Sequence, residues 1–115
     1  MGIAVLAMKS VGDSVILKSK TVTPRECLRF ALSQPVAAVV TGIHNQAILD
    51  QAFEVGSVFE PLTAEETEAL LKKTEQAAAR GEYELLKTSS HFDSTAYNPK
   101  WLGPETAKVK ELSPA

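Results

Sequence analysis

Two short apolar runs, "IAVLAM" at residues 3–8 and "VAAVV" at residues 36–40, flank a segment with an explicit helix start, and this arrangement limits the fold more than any other feature of the chain. Neither run alternates apolar with polar residues as a strand with one wet face would. Each therefore predicts a strand covered on both faces. Between them, Thr23 can cap a helix, Pro24 suits its first position and Glu26 sits where a capping box wants a carboxylate. The spacing predicts a helix to about Gln34 with Leu28, Ala31 and Leu32 on one face, stopped by Pro35. Strand, helix, strand implies a parallel pair joined by a right-handed crossover. Two apolar parallel strands cannot form a sheet alone, because each exposes an unpaired backbone edge and an apolar face. The chain is thus expected either to assemble with copies or partners that supply neighbouring strands, or to be the end piece of a larger α/β protein.

Beyond Thr41-Gly42, the residues Ile48, Leu49, Ala52 and Phe53 recur at helical spacing. A second capping signature, Thr63-Ala64-Glu65-Glu66, predicts a helix to about Arg80, closed by Gly81, with Leu70, Leu71 and Ala78 inward and the charges outward. From Glu82 the character changes to an aromatic stretch, "YELLKTSSHFDSTAYNPKWLG", with little periodicity. Residues 104–115 are expected to be a flexible tail, leaving 1–103 as the folded portion.

Composition narrows the function classes. At 115 residues, 44% hydrophobic and 23% charged, the chain has room for one domain. Its formal net charge of −2 offers no long-range attraction to nucleic acid or anionic lipid. Its longest apolar runs fall far short of the roughly 20 residues that span a bilayer. No basic segment precedes the first run, so no secretory signal is expected, and Leu6 stands where a myristoylation motif wants Ser or Thr. The single cysteine, Cys27, excludes an internal disulfide and any cysteine-based zinc site. These features together predict a cytoplasmic setting.

The run "GIAVLAMKSVGDS", the capped "TPRECLRFALSQPVAAVVTGIHNQAILDQAFE", then "PLTAEETEALLKK" and the tail "FDSTAYNPKWLG" together resemble the carboxyl-terminal part of bacterial aldo-keto reductases. The resemblance covers nearly the whole chain and rests on the order and spacing of these segments. It implies a partial (β/α)8 TIM barrel: the last two strand-helix units, a C-terminal helix and a tail. It also implies NADP(H) as cofactor and a small carbonyl substrate for the full-length protein, with no nucleic acid or membrane partner. Barrel active sites lie at the carboxyl ends of the strands, and a small residue beside a helix amino terminus lets backbone N–H groups approach a phosphate. On this resemblance Thr41, Gly42, Ile43 and Asn45 line the adenosine phosphate site and Gln51 stands near the adenine. Met8, Lys9, Ser10, Val11 and Gly12, within the segment 8–14, wrap the pyrophosphate and approach the nicotinamide.

The departures from the family pattern are specific. Ile48 stands where many members carry an arginine for the 2′-phosphate, and Gln51-Ala52 stands where they carry Glu-Asn, which leaves NAD(H) open beside NADP(H). Ser10-Val11-Gly12-Asp13 replaces the common Pro-Leu-Gly-Gly, and an exposed Asp13 would repel a pyrophosphate by on the order of 1 kcal/mol. The family's catalytic Asp, Tyr, Lys and His lie on segments with no counterpart in this sequence, so no catalytic residue is assigned. A bound hydride donor without an acid to protonate the carbonyl should reduce very little. The isolated chain is expected to be inactive.

Several residues carry simpler readings. Lys9 reads as a contact to phosphate or to the nicotinamide amide or as a solvated rim lysine, and His44 as a general acid or ribose contact or, more simply, as a surface turn residue. His91 beside Asp93 does not form a pair in an extended stretch, because neighbouring side chains point apart. Cys27 reads as small core filler, and Tyr97 and Trp101 as either a pocket cover or pins for the tail. Glu65, Glu66 and Glu68 complement a helix start without needing a ligand. The alternative to a reductase portion is a non-catalytic α/β module that completes its sheet by self-association or with another protein. A doubly wound dinucleotide fold is weaker, since "MKSVGDS" supplies one glycine where G-x-G-x-x-G needs three.

Overall fold

The computed structural model describes residues 2–85 and Asn98. The readings at His91, Asp93, Tyr97 and Trp101 and over residues 104–115 lie outside the described residues. Within them the chain is an α/β unit of three α-helices and a two-stranded parallel sheet: β1 (Leu6–Met8), α1 (Pro24–Leu32), β2 (Ala38–Val40), α2 (Gln46–Ser57) and α3 (Ala64–Ala78). Among the described residues no helix is long and apolar enough to cross a membrane.

The parallel pairing expected from the strand-helix-strand order is present, with Leu6 opposite Ala38, Ala7 opposite Val39 and Met8 opposite Val40. Both strands are shorter than the apolar runs that contain them. One further bond, from the Ala37 amide to the Val5 carbonyl at 2.7 Å, extends the pairing beyond β2. The sheet is covered on one face. Ala7 and Val39 are half-buried on the side where α1 packs against β2, whereas Leu6, Met8, Ala38 and Val40 on the opposite side are exposed. The expected cover on both faces is therefore met on one, because among the described residues no element lies over the other.

Each helix starts as its sequence dictates. Thr23 caps α1 and Thr63 caps α3, each in a complete capping box with Glu26 and Glu66 respectively. Asn45 caps α2, its side-chain oxygen accepting from the Ile48 amide at 3.0 Å. Helix α1 supplies the two buried hydrophobic residues among those described, Cys27 and Leu28. It packs against α2 as well as β2, so the small core sits under the sheet's covered face.

The inward faces are narrower than the apolar spacing predicts. On α3 the half-buried stripe is Thr67, Leu70, Thr74 and Ala77, while Leu71 and Ala78 are exposed. That stripe follows one helical row, and Leu71 lies a full residue rotation away from it. The helix ends at Ala78, two residues before the expected Arg80, with Gly81 at a φ of 62° just beyond. On α2, Ile48, Leu49 and Ala52 are half-buried but Phe53 is 67% exposed, since among the described residues no element covers that side.

Ion pairs from α1 bind the other helices to it. Arg25 pairs with Glu54 on α2. Lys73 of α3 reaches Glu26 at 2.6 Å, and the Arg29 guanidinium forks onto both Glu66 oxygens at 2.8 and 3.0 Å. The Arg29 Nε also donates to the Glu60 carbonyl at 3.0 Å, tying down the α2–α3 connection.

Candidate functional site

The carboxyl ends of the two strands open into a cleft of about 460 Å³, within the few hundred to a thousand cubic ångströms typical of small-molecule sites. Its floor is made of Met8, Lys9, Val40, Thr41 and Gly42, where the parallel strands end side by side. One wall is α2, which presents Ile48, Gln51 and Ala52, positions that share one helical face. The opposite wall is Asp13, Ser14 and Leu17 with Pro24 and Leu28 of α1. Parallel strands make such a site by necessity, because both chains must leave the sheet at the same end and their exits diverge.

The segment after β1 leaves the strand through a left-handed turn. Lys9, Gly12, Asp13 and Ser14 have φ values of 56°, 52°, 57° and 65°. The Gly12 amide donates to the Lys9 carbonyl at 2.8 Å and the Val15 amide to the Gly12 carbonyl at 3.1 Å, closing the turn. Glycine adopts this conformation without penalty, whereas each L-residue with a side chain costs on the order of 1 kcal/mol there. The backbone thus holds strain in the stretch that borders the cleft.

Gly42 has a different logic. A Cβ added there would meet nothing within 4 Å, and its φ lies outside the left-handed region. Neither the backbone nor the packing of the described residues needs a glycine at that position. A missing side chain there leaves the rim open to a ligand that approaches the backbone.

Seven of the ten residues singled out from the sequence line this one cleft: Met8, Lys9, Ser10, Val11, Thr41, Gly42 and Gln51. Three do not. Gly12 forms the left-handed turn, Ile43 is 49% exposed beside the cleft, and the Asn45 side chain is occupied in capping α2. Conversely, His44 lines the cleft although its sequence context reads as a surface turn, and Leu17, Pro24 and Leu28 line it without any motif to announce them. The signal for His44 was its place between β2 and the α2 cap, which brings its side chain to the strand ends.

Among the described residues the charged groups that line the cleft are Lys9 and Asp13, with His44, Thr41, Ser10, Ser14 and Gln51 as polar groups. The two helices that form its walls are held together by Arg25 and Glu54, and the Arg25 hydrogen bond keeps the Glu54 carboxyl below the usual range. Cys27 lies next to Leu28 but away from the cleft, and burial pushes its thiol up, with the Glu26 charge acting in the same direction. A raised thiol is a poor nucleophile, in keeping with core filler. Among the described residues there is no cluster of His, Cys, Asp or Glu able to hold a metal ion.

Comparison of the chain with family models, with curated proteins and with solved structures gives no match in any of the three.

Proposed function

We propose that this chain is the cofactor-binding portion of an NAD(P)H-dependent aldo-keto reductase, holding a nicotinamide dinucleotide at the strand-end cleft of a barrel whose earlier strands have no counterpart in this sequence. The observation that carries the reading is the convergence of residues 8–11 with Thr41, Gly42 and Gln51 on one cleft, the segments that the sequence resemblance assigns to the cofactor. The residues present suit such a group: Lys9 for a phosphate charge, hydroxyls and an amide for the sugars, and Ile48, Ala52 and Val40 for an adenine face. The unneeded glycine at position 42 leaves room for a phosphate against the backbone.

When bound, a nicotinamide dinucleotide supplies hydride transfer. This chain's own residues bind and orient; they provide no assigned acid for a carbonyl oxygen, so turnover depends on residues from other segments. The test is a titration of the full chain with NADH, followed by nicotinamide fluorescence, beside a Gly42→Val variant. Saturable binding is expected for the native chain. The variant should keep its thermal midpoint, since its Cβ meets nothing within 4 Å, yet bind at least tenfold more weakly. Absence of binding by the native chain would remove the proposal.

A second reading is favoured by the bare sheet face, where Leu6, Met8 and Val40 are 62%, 66% and 52% exposed. On that reading the chain is a non-catalytic module whose sheet is completed by copies of itself or by a partner's strands. A stable oligomer in sedimentation velocity, together with no NADH binding, would select it.

A further inference from the structure

We infer that α3 is a strap that couples an ionic clasp on α1 to the left-handed turn bordering the cleft, so that salt which opens the clasp also loosens that turn, whatever ligand the cleft takes. At one end α3 meets α1 through charge. The Arg29 guanidinium forks onto both Glu66 oxygens at 2.8 and 3.0 Å and its Nε donates to the Glu60 carbonyl at 3.0 Å, while Lys73 donates to Glu26 at 2.6 Å. The Leu62 amide, one residue before the α3 cap, donates to the Oγ of Ser33, the last cap of α1, at 2.9 Å. Isolated surface pairs contribute little, but a bidentate fork inside a network of charges is the arrangement that does hold elements together. These four side chains are partly exposed, so dissolved ions reach them. The half-buried stripe of α3 is Thr67, Leu70, Thr74 and Ala77, and the Thr74 hydroxyl is turned back to its own helix, donating to the Leu70 carbonyl at 3.0 Å.

The other end of α3 leads to the cleft. The helix has 15 residues and is therefore about 22 Å long. Gly81, at a φ of 62°, then turns the chain, and the Glu84 amide donates to the Gly81 carbonyl at 2.9 Å. This turn brings the Tyr83 carbonyl to 3.9 Å from where a Cβ on Gly12 would stand. Gly12 belongs to the left-handed stretch with Lys9, Asp13 and Ser14, and its neighbours Val11 and Asp13 line the cleft. Lys9, Asp13 and Ser14 carry side chains, and such a conformation persists only where the surroundings hold it. The Tyr83 backbone is part of those surroundings, and its place is set by the docking of α3.

The experiment is amide hydrogen exchange, read by NMR on the full chain, at about 0.02 and about 1 M NaCl, the higher salt cutting the screening length to about 3 Å. The Leu62 amide reports the clasp. The Gly12 and Val15 amides, which close the left-handed turn, report the cleft border, and the Ile48 amide, held by the α2 cap, is the control. High salt is expected to speed exchange at Leu62, Gly12 and Val15 together by about fivefold or more and to leave Ile48 unchanged. A variant with Glu66→Gln and Lys73→Gln keeps both capping boxes, because glutamine also serves at the third position, and should show the fast exchange already at low salt. Faster exchange at Leu62 with Gly12 and Val15 unchanged would overturn the coupling. No response at Leu62, or slow and still salt-dependent exchange in the variant, would overturn the clasp. Acceleration at Ile48 equal to that at the other three would mean opening of the whole chain and would overturn both.

Discussion

At the residue scale, strain and burial are concentrated in few positions, and each makes its own prediction. Lys20 closes the 3₁₀ turn Ile16–Ser19 at φ 58° and ψ 15°, a left-handed cap that glycine fills without steric cost. Lys20→Gly should therefore stabilise the chain by about 0.5–1 kcal/mol, read as a higher urea midpoint with unchanged slope. A lower midpoint would mean that the lysine side chain contributes more than the backbone conformation costs. Leu28, 7% exposed, is one of the two buried hydrophobic residues among those described and also lines the cleft. Leu28→Ala should cost about 2–3 kcal/mol, the lower part of the range for core leucines, because an open cleft lets the site relax. The neighbouring thiol should react slowly with a disulfide reagent in the native chain and at the free-thiol rate in urea, since burial raises its pKa. Equal rates in the two conditions would show that Cys27 is not part of a stable core.

At the scale of elements, the two capping boxes do more than start their helices. Glu26 accepts from the Thr23 amide at 2.7 Å with one oxygen and from Lys73 of α3 with the other. Glu66 accepts from the Thr63 amide at 2.9 Å and is forked by Arg29 of α1. Each helix's capping carboxylate thus receives a cation from the other helix, so the start of one is coupled to the docking of both. Thr63→Ala removes the α3 cap and should cost about 1 kcal/mol, seen as loss of helical ellipticity at a lower temperature. The same carboxylates set the acid response. Hydrogen bonds from Lys73, Arg25 and Arg29 hold Glu26, Glu54 and Glu66 below their ordinary values. Groups with lowered folded pKa stabilise fully above the unfolded value, about 4.3, and lose that contribution as pH falls through the folded values. Ellipticity at 222 nm should accordingly hold from pH 7 to about 5 and decline below about 4.3, and Glu66→Gln should flatten the decline. A loss of structure that sets in above pH 6 would contradict this assignment.

At the scale of the whole molecule, the sheet is the element that this chain leaves incomplete within its described residues. A two-stranded parallel sheet has two open edges, and here one face with Leu6, Met8 and Val40 is also exposed. Parallel sheets are stable with more strands and with cover on both faces. A barrel supplies both at once, since closure removes the edges and the inner face packs against side chains from other strands. The described chain should therefore associate as concentration rises. Leu6→Lys should suppress that association in sedimentation velocity while leaving the helices' ellipticity unchanged, because Leu6 is already 62% exposed. A native chain that stays monomeric at every concentration would show that its edges are protected in another way.

The local elements were legible because their determinants lie within a few residues of one another. Thr23-Pro24-Arg25-Glu26 and Thr63-Ala64-Glu65-Glu66 carry their capping boxes in sequence, and two apolar runs around a helix permit little but a parallel pair. The strand-end residues 8–11, Thr41 and Gly42 were named through the family resemblance, and the structure brings them to one cleft where the two parallel strands end. What needed the tertiary structure was every property that depends on which side of an element meets a neighbour. Phe53, Leu71 and Ala78 follow helical spacing yet face outward, and His44 joins the cleft although its local context reads as a surface turn. Burial and site assembly are set by contacts between segments distant in the chain. Periodicity tells which residues share a face, and only packing decides which face is covered.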